Sequence, residues 1–188
     1  MILLGRYFGE LDKELARKHV ELGLVNAIRK VFPDLTLMQY ERLLEAVQQS
    51  LHSRHSEVYL IPGAFDIVQN LYDAGVSLAI ATNKGHQSLQ RALQLSGLDH
   101  FFTVTRSASQ APPKPCPQML TEILEETGVS IDEAVMVGDS VTDIEMAESL
   151  GMDAIGVNFY HKHSDALLAA GALRVFSDYQ ELANYLSM

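Results

Sequence analysis

Apolar positions along the chain follow two periods. From about Gly9 to Ser53, Leu15, Val20, Leu24, Ile28, Val31 and Phe32 recur mostly at three- and four-residue steps among charged residues, the pattern of an amphipathic helix. Pro33 and Asp34 break that helix. Thr36 can cap a second one that carries Leu37, Tyr40, Leu43, Leu44 and Val47 on one face. Residues 1–57 therefore predict a small helical subdomain.

Past Pro62-Gly63 the period alternates between that of helices and that of short buried strands. A helix over Ala64–Ala74 leads to a strand over Val76–Ala81, and a helix over Gln87–Ser96 to a strand over Phe101–Thr105. A helix opened by Pro117 and running to about Thr127 precedes Ala134–Val137. Helix Val141–Leu150 is followed by strand Ala154–Val157, helix Asp165–Ala170 by strand Arg174–Phe176, and Asp178–Leu186 closes the chain as a helix. Short aliphatic strands separated by helices predict an α/β domain over residues 58–188, a doubly wound parallel sheet covered on both faces. The segment from Ser107 to Pro117, rich in Pro, Ser and Ala, reads as a loop at the carboxyl ends of the strands, where such sheets bind ligands.

Composition narrows the range of functions. The 188 residues carry a formal net charge of −10, which opposes general affinity for nucleic acid or an anionic membrane. A phosphorylated small molecule would need a local positive site. One cysteine, Cys116, leaves no internal disulfide framework, and seven scattered histidines form no zinc-type cluster. Arg6, Glu10 and Asp12 interrupt the apolar start Met1–Leu4 before a secretory core or a membrane span is complete. The expectation is a cytoplasmic protein; oligomeric state is not legible.

Three polar groups follow three predicted strands: Thr82-Asn83-Lys84-Gly85, Pro113-Lys114-Pro115, and Gly138-Asp139-Ser140 with Thr142-Asp143. On a doubly wound sheet they converge on one crevice. Thr82 and Asn83 can offer a hydroxyl and an amide to phosphate oxygens, and N–H groups opening the next helix add an anion-binding end. Lys114 supplies a compact positive charge, and Asp139 and Asp143 suit a hard cation such as Mg²⁺. Each element alone reads as a helix cap, a solvated loop lysine or a first-turn acid. Their order and spacing read as a phosphate and metal site.

From Val58 to about Val157 the chain resembles haloacid dehalogenase-superfamily phosphatases of the phosphoglycolate phosphatase type. Leu78–Gly85 is similar to their second motif, Lys114 to the third and Val137–Asp143 to the fourth. Residues 1–57 look like the family's small helical cap and residues 58–188 like its Rossmann-like core. The resemblance implies an Mg²⁺-dependent attack by an aspartate on phosphorus, with hydrolysis of the aspartyl-phosphate assisted by a second aspartate. It implies that Thr82, Asn83 and Lys114 hold the phosphoryl group, that Asp139 binds the metal, and that Asp143 binds the metal or its water. The partner implied is a small phosphorylated metabolite. Cys116 stands where relatives often carry a histidine and reads as a small loop residue. His86 reads as a first-turn surface residue, and His161 and His163 as solvent-exposed.

The family's first motif, Asp-x-Asp-x-Thr, has no counterpart in the 188 residues, and Asp12, between Glu10 and Glu14, reads as a solvated helix acid. In the family that motif ends a strand at the middle of the sheet, between the strands that end at the second and fourth motifs. The core therefore reads as lacking its first strand, with unpaired backbone along two interior edges. Direct pairing of the strands ending at Ala81 and Val137, a segment from elsewhere, or marginal stability would each answer that gap; Met1–Leu4 is too short to fill it. Two functions remain open: an amino-terminally truncated phosphatase, weak or inactive in this form, and a non-catalytic binding protein.

Overall fold

The computed structural model describes residues 24–44, 60–159 and 164–186. Met1–Leu4, Asp12, Leu15, Val20, Val47, His161 and His163, which carry several of the expectations above, lie outside them. The chain divides into two compact units, Met1–Glu57 and Val58–Met188.

In the first unit, helix α1 (Leu24–Val31) ends where Pro33 and Asp34 form a turn. Residues 37–44 are helical again, opened by a reciprocal cap in which Gln39 N–H donates to Thr36 Oγ1 at 3.4 Å and Thr36 N–H to Gln39 Oε1 at 3.0 Å. Ile28 and Leu43 are buried, but Leu37 is 73% exposed and does not join the apolar face expected of it.

The second unit alternates helix and strand in the order α2 (Ala64–Asp73), β1 (Ala79–Thr82), α3 (His86–Ser96), β2 (Val104–Ser107), α4 (Gln118–Thr127), β3 (Val135–Gly138), α5 (Val141–Glu148), β4 (Asp153–Val157), α6 (Ser164–Ala169), β5 (Arg174–Phe176) and α7 (Tyr179–Tyr185). A short 3₁₀ turn, Ile131–Glu133, precedes β3. Every strand pair is parallel. Two strands begin later than their apolar runs suggest. Val76 belongs to the closing turn of α2, where its N–H donates to Leu71 O and Gly75 takes φ 81°, so β1 starts at Ala79. Phe101 sits 4% exposed against the rings of Phe65 and Tyr72, and β2 starts beyond it at Val104.

Alternation along the strands supplies two covered faces. Ala81, Met136, Ala154 and Val175 pack with Met119, Leu120, Ile144, Met146 and Leu167 of α4, α5 and α6. Ile155 and Val157 point the other way, to Ile67 of α2 and Leu182 of α7, and Ile80 packs with Leu89 and Leu93 of α3. Gly156 lets α6 approach β4: a Cβ there would lie 2.9 Å from Val175 Cγ2 and 3.1 Å from Leu167 Cδ1. This is the doubly wound α/β arrangement.

The sheet is divided. Among the described residues β1 pairs only with β2, and β3, β4 and β5 form a second sheet in that order. The strands ending at Thr82 and Gly138 do not pair with each other, so direct closure of the gap does not occur among the described residues. Val135 and Val137, on β3, whose one partner among the described residues is β4, are 44% and 39% exposed.

Candidate active site

Each polar group of the candidate site follows a strand. Gly138 ends β3 and Ser140 caps α5, with Asp139 between them. The cap is reciprocal: Asp143 N–H donates to Ser140 Oγ at 3.3 Å, while Ser140 N–H and Ser140 Oγ donate to Asp143 Oδ2 at 3.1 and 2.9 Å. A Cβ on residue 138 would fall 2.3 Å from Asp143 Cβ, so only glycine lets β3 end this close to α5. Asp143 is 4% exposed.

Lys114 joins the two sheets. Its Nζ donates to Asp143 Oδ1, beyond β3, and its backbone N–H donates to Asn83 Oδ1, beyond β1, at 2.9 Å. Both ends of the ion pair are nearly closed to solvent, with side-chain exposures of 11% for Lys114 and 5% for Asp143. The 107–117 segment that presents Lys114 is anchored by buried Ser107, whose Oγ donates to Gln110 Oε1 at 2.8 Å. The Lys114–Pro115 peptide bond is cis.

The five predicted residues Thr82, Asn83, Lys114, Asp139 and Asp143 thus gather at the carboxyl ends of β1 and β3. Their partners refine the expected roles. Both carboxylate oxygens of Asp143 are engaged by Lys114 and Ser140, which leaves Asp139 as the exposed carboxylate of the pair. Removal of water by the surrounding walls and the neighbouring charge of Asp143 hold the Asp139 carboxyl above its ordinary range, offset in part by a backbone hydrogen bond and by Lys114. Near β1, Lys84 N–H donates to Thr82 Oγ1 at 3.1 Å and His86 N–H to Ser109 Oγ at 3.0 Å. Two of the N–H groups around the start of α3 therefore already have internal acceptors, while the Thr82 hydroxyl proton is left to donate.

Sequence reasoning placed Ser140 in the strand-end group without its capping role, and missed Ser109 and Tyr179. Ser140 was legible: Ser-x-x-Asp before an apolar run is a capping-box signature. Tyr179, in the first turn of α7, is held above the usual phenol range by burial and then by the charge of Asp139, which brings it into the electrostatic surroundings of the site. No local pattern marks it. His86 is exposed and Cys116 is half-buried with a free thiol.

Hard oxygen donors and an exposed carboxylate beside a buried one fit Mg²⁺ in kind, because that ion takes one or two carboxylates and retains water. Among the described residues no cluster of three or more His, Cys, Asp or Glu side chains is placed to hold a metal. No helix among them is long and apolar enough to cross a membrane.

Comparison with known proteins agrees with this arrangement. Residues 2–157 match the family model described as haloacid dehalogenase-like hydrolase. A phosphoglycolate phosphatase of Rhodospirillum rubrum is 32% identical over 126 residues, covering 66% of this chain and 52% of that protein. IndB of Dickeya dadantii, named as a phosphatase, is 30% identical over 179 residues, 91% of this chain and 76% of that protein. The crystal structure of a hydrolase from Pseudomonas syringae superposes with a TM-score of 0.85 at 23% identity, over 98% of this chain and 86% of that one. The chain spans about half the length of the first of these relatives. With the motif positions gathered at the strand ends and the family match running through most of the sequence, the chain belongs to the haloacid dehalogenase-like hydrolases.

Proposed function

We propose that residues 58–188 form the phosphate- and metal-holding part of an Mg²⁺-dependent phosphatase for a small phosphate monoester. The observation that carries this reading is the placement of Lys114, which touches groups beyond both β1 and β3 and so fixes one positive charge where the two strand ends meet. In this reading the Thr82 hydroxyl and the Asn83 amide donate to equatorial phosphoryl oxygens while the Lys114 ammonium offsets their charge. Asp139 holds the metal, and Asp143 orients Lys114 through the ion pair to its Nζ. Bound Mg²⁺ supplies Lewis-acid charge stabilisation. The relatives' names make phosphoglycolate and pyrophosphate the first substrates to assay, and the single free Cys116 agrees with a reducing cytoplasm.

A second reading is favoured by one sequence fact: Asp-x-Asp-x-Thr is absent from the 188 residues, so neither an attacking nor an acid–base aspartate of that motif is present. These residues would then bind Mg²⁺ and phosphate with weak turnover or none. Hydrolysis of p-nitrophenyl phosphate and phosphoglycolate with Mg²⁺, together with inorganic phosphate titrated into the purified chain, separates the two. Turnover lost in Asp139→Asn supports the phosphatase reading. Saturable phosphate binding without turnover supports the second, and the absence of both sinks both.

A further inference from the structure

The strands β3, β4 and β5 end at one level. Gly138 pairs with Gly156 and Val157 with Phe176, so the three stop within a residue of one another and the residues after them share one rim. Asp139 follows β3 directly, Phe159 lies two residues past β4, and Tyr179 three past β5. The rings of Phe159 and Tyr179 pack with centroids 4.5 Å apart. Neighbouring strands lie about 4.8 Å apart, so the Tyr179 ring reaches back from the end of β5 to the end of β4, one strand away from Asp139.

Three contacts fix the ring there. Asp178 caps α7 by accepting from Glu181 N–H at 2.8 Å. Leu182 holds α7 to Ile67 of α2, in a cluster that Phe159 and Tyr179 also join. Gly63, which opens α2, approaches so closely that a Cβ on it would lie 3.2 Å from Tyr179 Cβ. Packing accounts for the ring and leaves the hydroxyl over, since phenylalanine would fill the same space. Among the described residues this hydroxyl has no hydrogen-bond partner, although the O–H of a tyrosine drawn into the interior usually finds one. What it shares is the field of Asp139, whose charge adds to burial in holding the phenol proton. No described side chain hydrogen-bonds the Asp139 carboxylate, whereas both oxygens of Asp143 are engaged.

We propose that Tyr179 is a positioning residue for the Mg²⁺ that Asp139 holds, its hydroxyl oxygen accepting a hydrogen bond from a water that the ion retains. The inference rests on the reading of Asp139 as the metal-holding carboxylate. An ion held through one or two carboxylates keeps several waters, and its charge makes them strong donors that need acceptors. Such outer partners fix the inner ligands and contribute to affinity. Asp143 is already committed to Lys114 and Ser140. A phenol supplies the acceptor without a further negative charge beside Asp139 and Asp143, which already oppose each other. The stacked ring, the α7 cap and the close approach of Gly63 keep that acceptor at the rim.

The test titrates Mg²⁺ into the full chain, read by calorimetry and by the metal-induced rise in thermal midpoint, for the parent, Tyr179→Phe, Tyr185→Phe and Asp139→Asn. Tyr179→Phe should raise the Kd for Mg²⁺ at least about five-fold. Its metal-free midpoint should stay that of the parent, because the ring is kept. Tyr185→Phe, on the same helix but under the guanidinium of Arg174, should bind as the parent does, and Asp139→Asn should lose binding. Parental affinity in Tyr179→Phe overturns the inference and leaves the metal reading standing. So does a lowered metal-free midpoint, which would give the hydroxyl a partner inside the chain. An equal loss in Tyr185→Phe also overturns it, because removal of any phenol from α7 would then have the same effect. No Mg²⁺ binding by the parent, or full binding by Asp139→Asn, sinks the metal reading and this inference with it.

Discussion

The two sheets of the core meet at one crevice but support it differently. On the larger sheet, Ile144, Met146 and Ala147 of α5 are 0% exposed, β4 is flanked on both sides, and the strand end is locked by the Ser140 cap and by the closeness that Gly138 permits. On the smaller sheet β1 is half-buried throughout, and Gly85, after its end, has open space around it. The charged members Asp139 and Asp143 sit on the tightly built side, and the neutral donors Thr82 and Asn83 on the looser one. Like charges held close together need fixed surroundings, whereas neutral hydrogen-bonding groups tolerate adjustment. Lys114 belongs to neither sheet and connects them.

Breaking that connection should have the largest effect. Asp143→Ala leaves the Lys114 ammonium buried without its carboxylate and should cost about 3–5 kcal/mol in urea unfolding. Thr82→Ala, at the equivalent place on the smaller sheet, should cost less than about 1 kcal/mol; equal losses would refute the asymmetry. Glycine substitutions make a closer pair. Gly138→Ala forces a Cβ into Asp143 and should cost about 1–3 kcal/mol, while Gly85→Ala meets nothing within 4 Å and should change stability by less than about 0.5 kcal/mol. Thermal and urea midpoints of the two variants decide it.

How much of this was legible follows the same division. The helix–strand order and the gathering of the five candidate residues at the strand ends could be read because apolar period and strand-end polar clusters are local signals. The starts of β1 and β2 could not: Val76 and Phe101 are as apolar as strand residues, but a helix-closing turn claims one and an aromatic contact with Phe65 and Tyr72 the other. The exposure of Val135 and Val137 depends on which strand lies beside β3, a non-local property. The contact of Asp143 with Lys114 was not legible, because the spacing of Asp143 from Asp139 carries no information on a lysine 29 residues away in sequence. Ser140 shows the opposite case, a local cap signal present in the sequence and not used. Ser140→Ala should cost about 1 kcal/mol by urea unfolding.

Protonation sharpens the contrast between the sheets by its sign. Asp139 titrates above its ordinary range in the folded chain, so the folded state binds its proton more tightly than the unfolded one. Its contribution is most favourable below the ordinary carboxylate pKa and is lost as pH rises through the folded value. Asp139→Asn should therefore raise the thermal midpoint at neutral pH in metal-free buffer, and the gain should shrink as pH falls below that range. A gain that persisted there would show that a neutral contact, not charge, was responsible.

The smaller sheet carries the reverse and weaker dependence. Arg106 of β2 donates from Nε to Glu122 Oε2 at 2.7 Å and also bonds Glu126, both acids lying on α4. The hydrogen bond from Arg106, followed by one from Gln118, holds Glu122 below the usual glutamate range. Stability from this contact is thus present above the ordinary glutamate pKa and lost as pH falls through the lowered folded value. Glu122 is solvent-accessible, so salt should screen the effect, which makes it the smallest of those expected. Glu122→Gln should flatten the acid limb of the midpoint-versus-pH curve measured at low ionic strength, and added salt should shrink the difference between variant and parent. A difference that survived high salt would mean that α4 is held to β2 through packing of the Glu122 stem, and the charged contact on the smaller sheet would then have no energetic part in joining them.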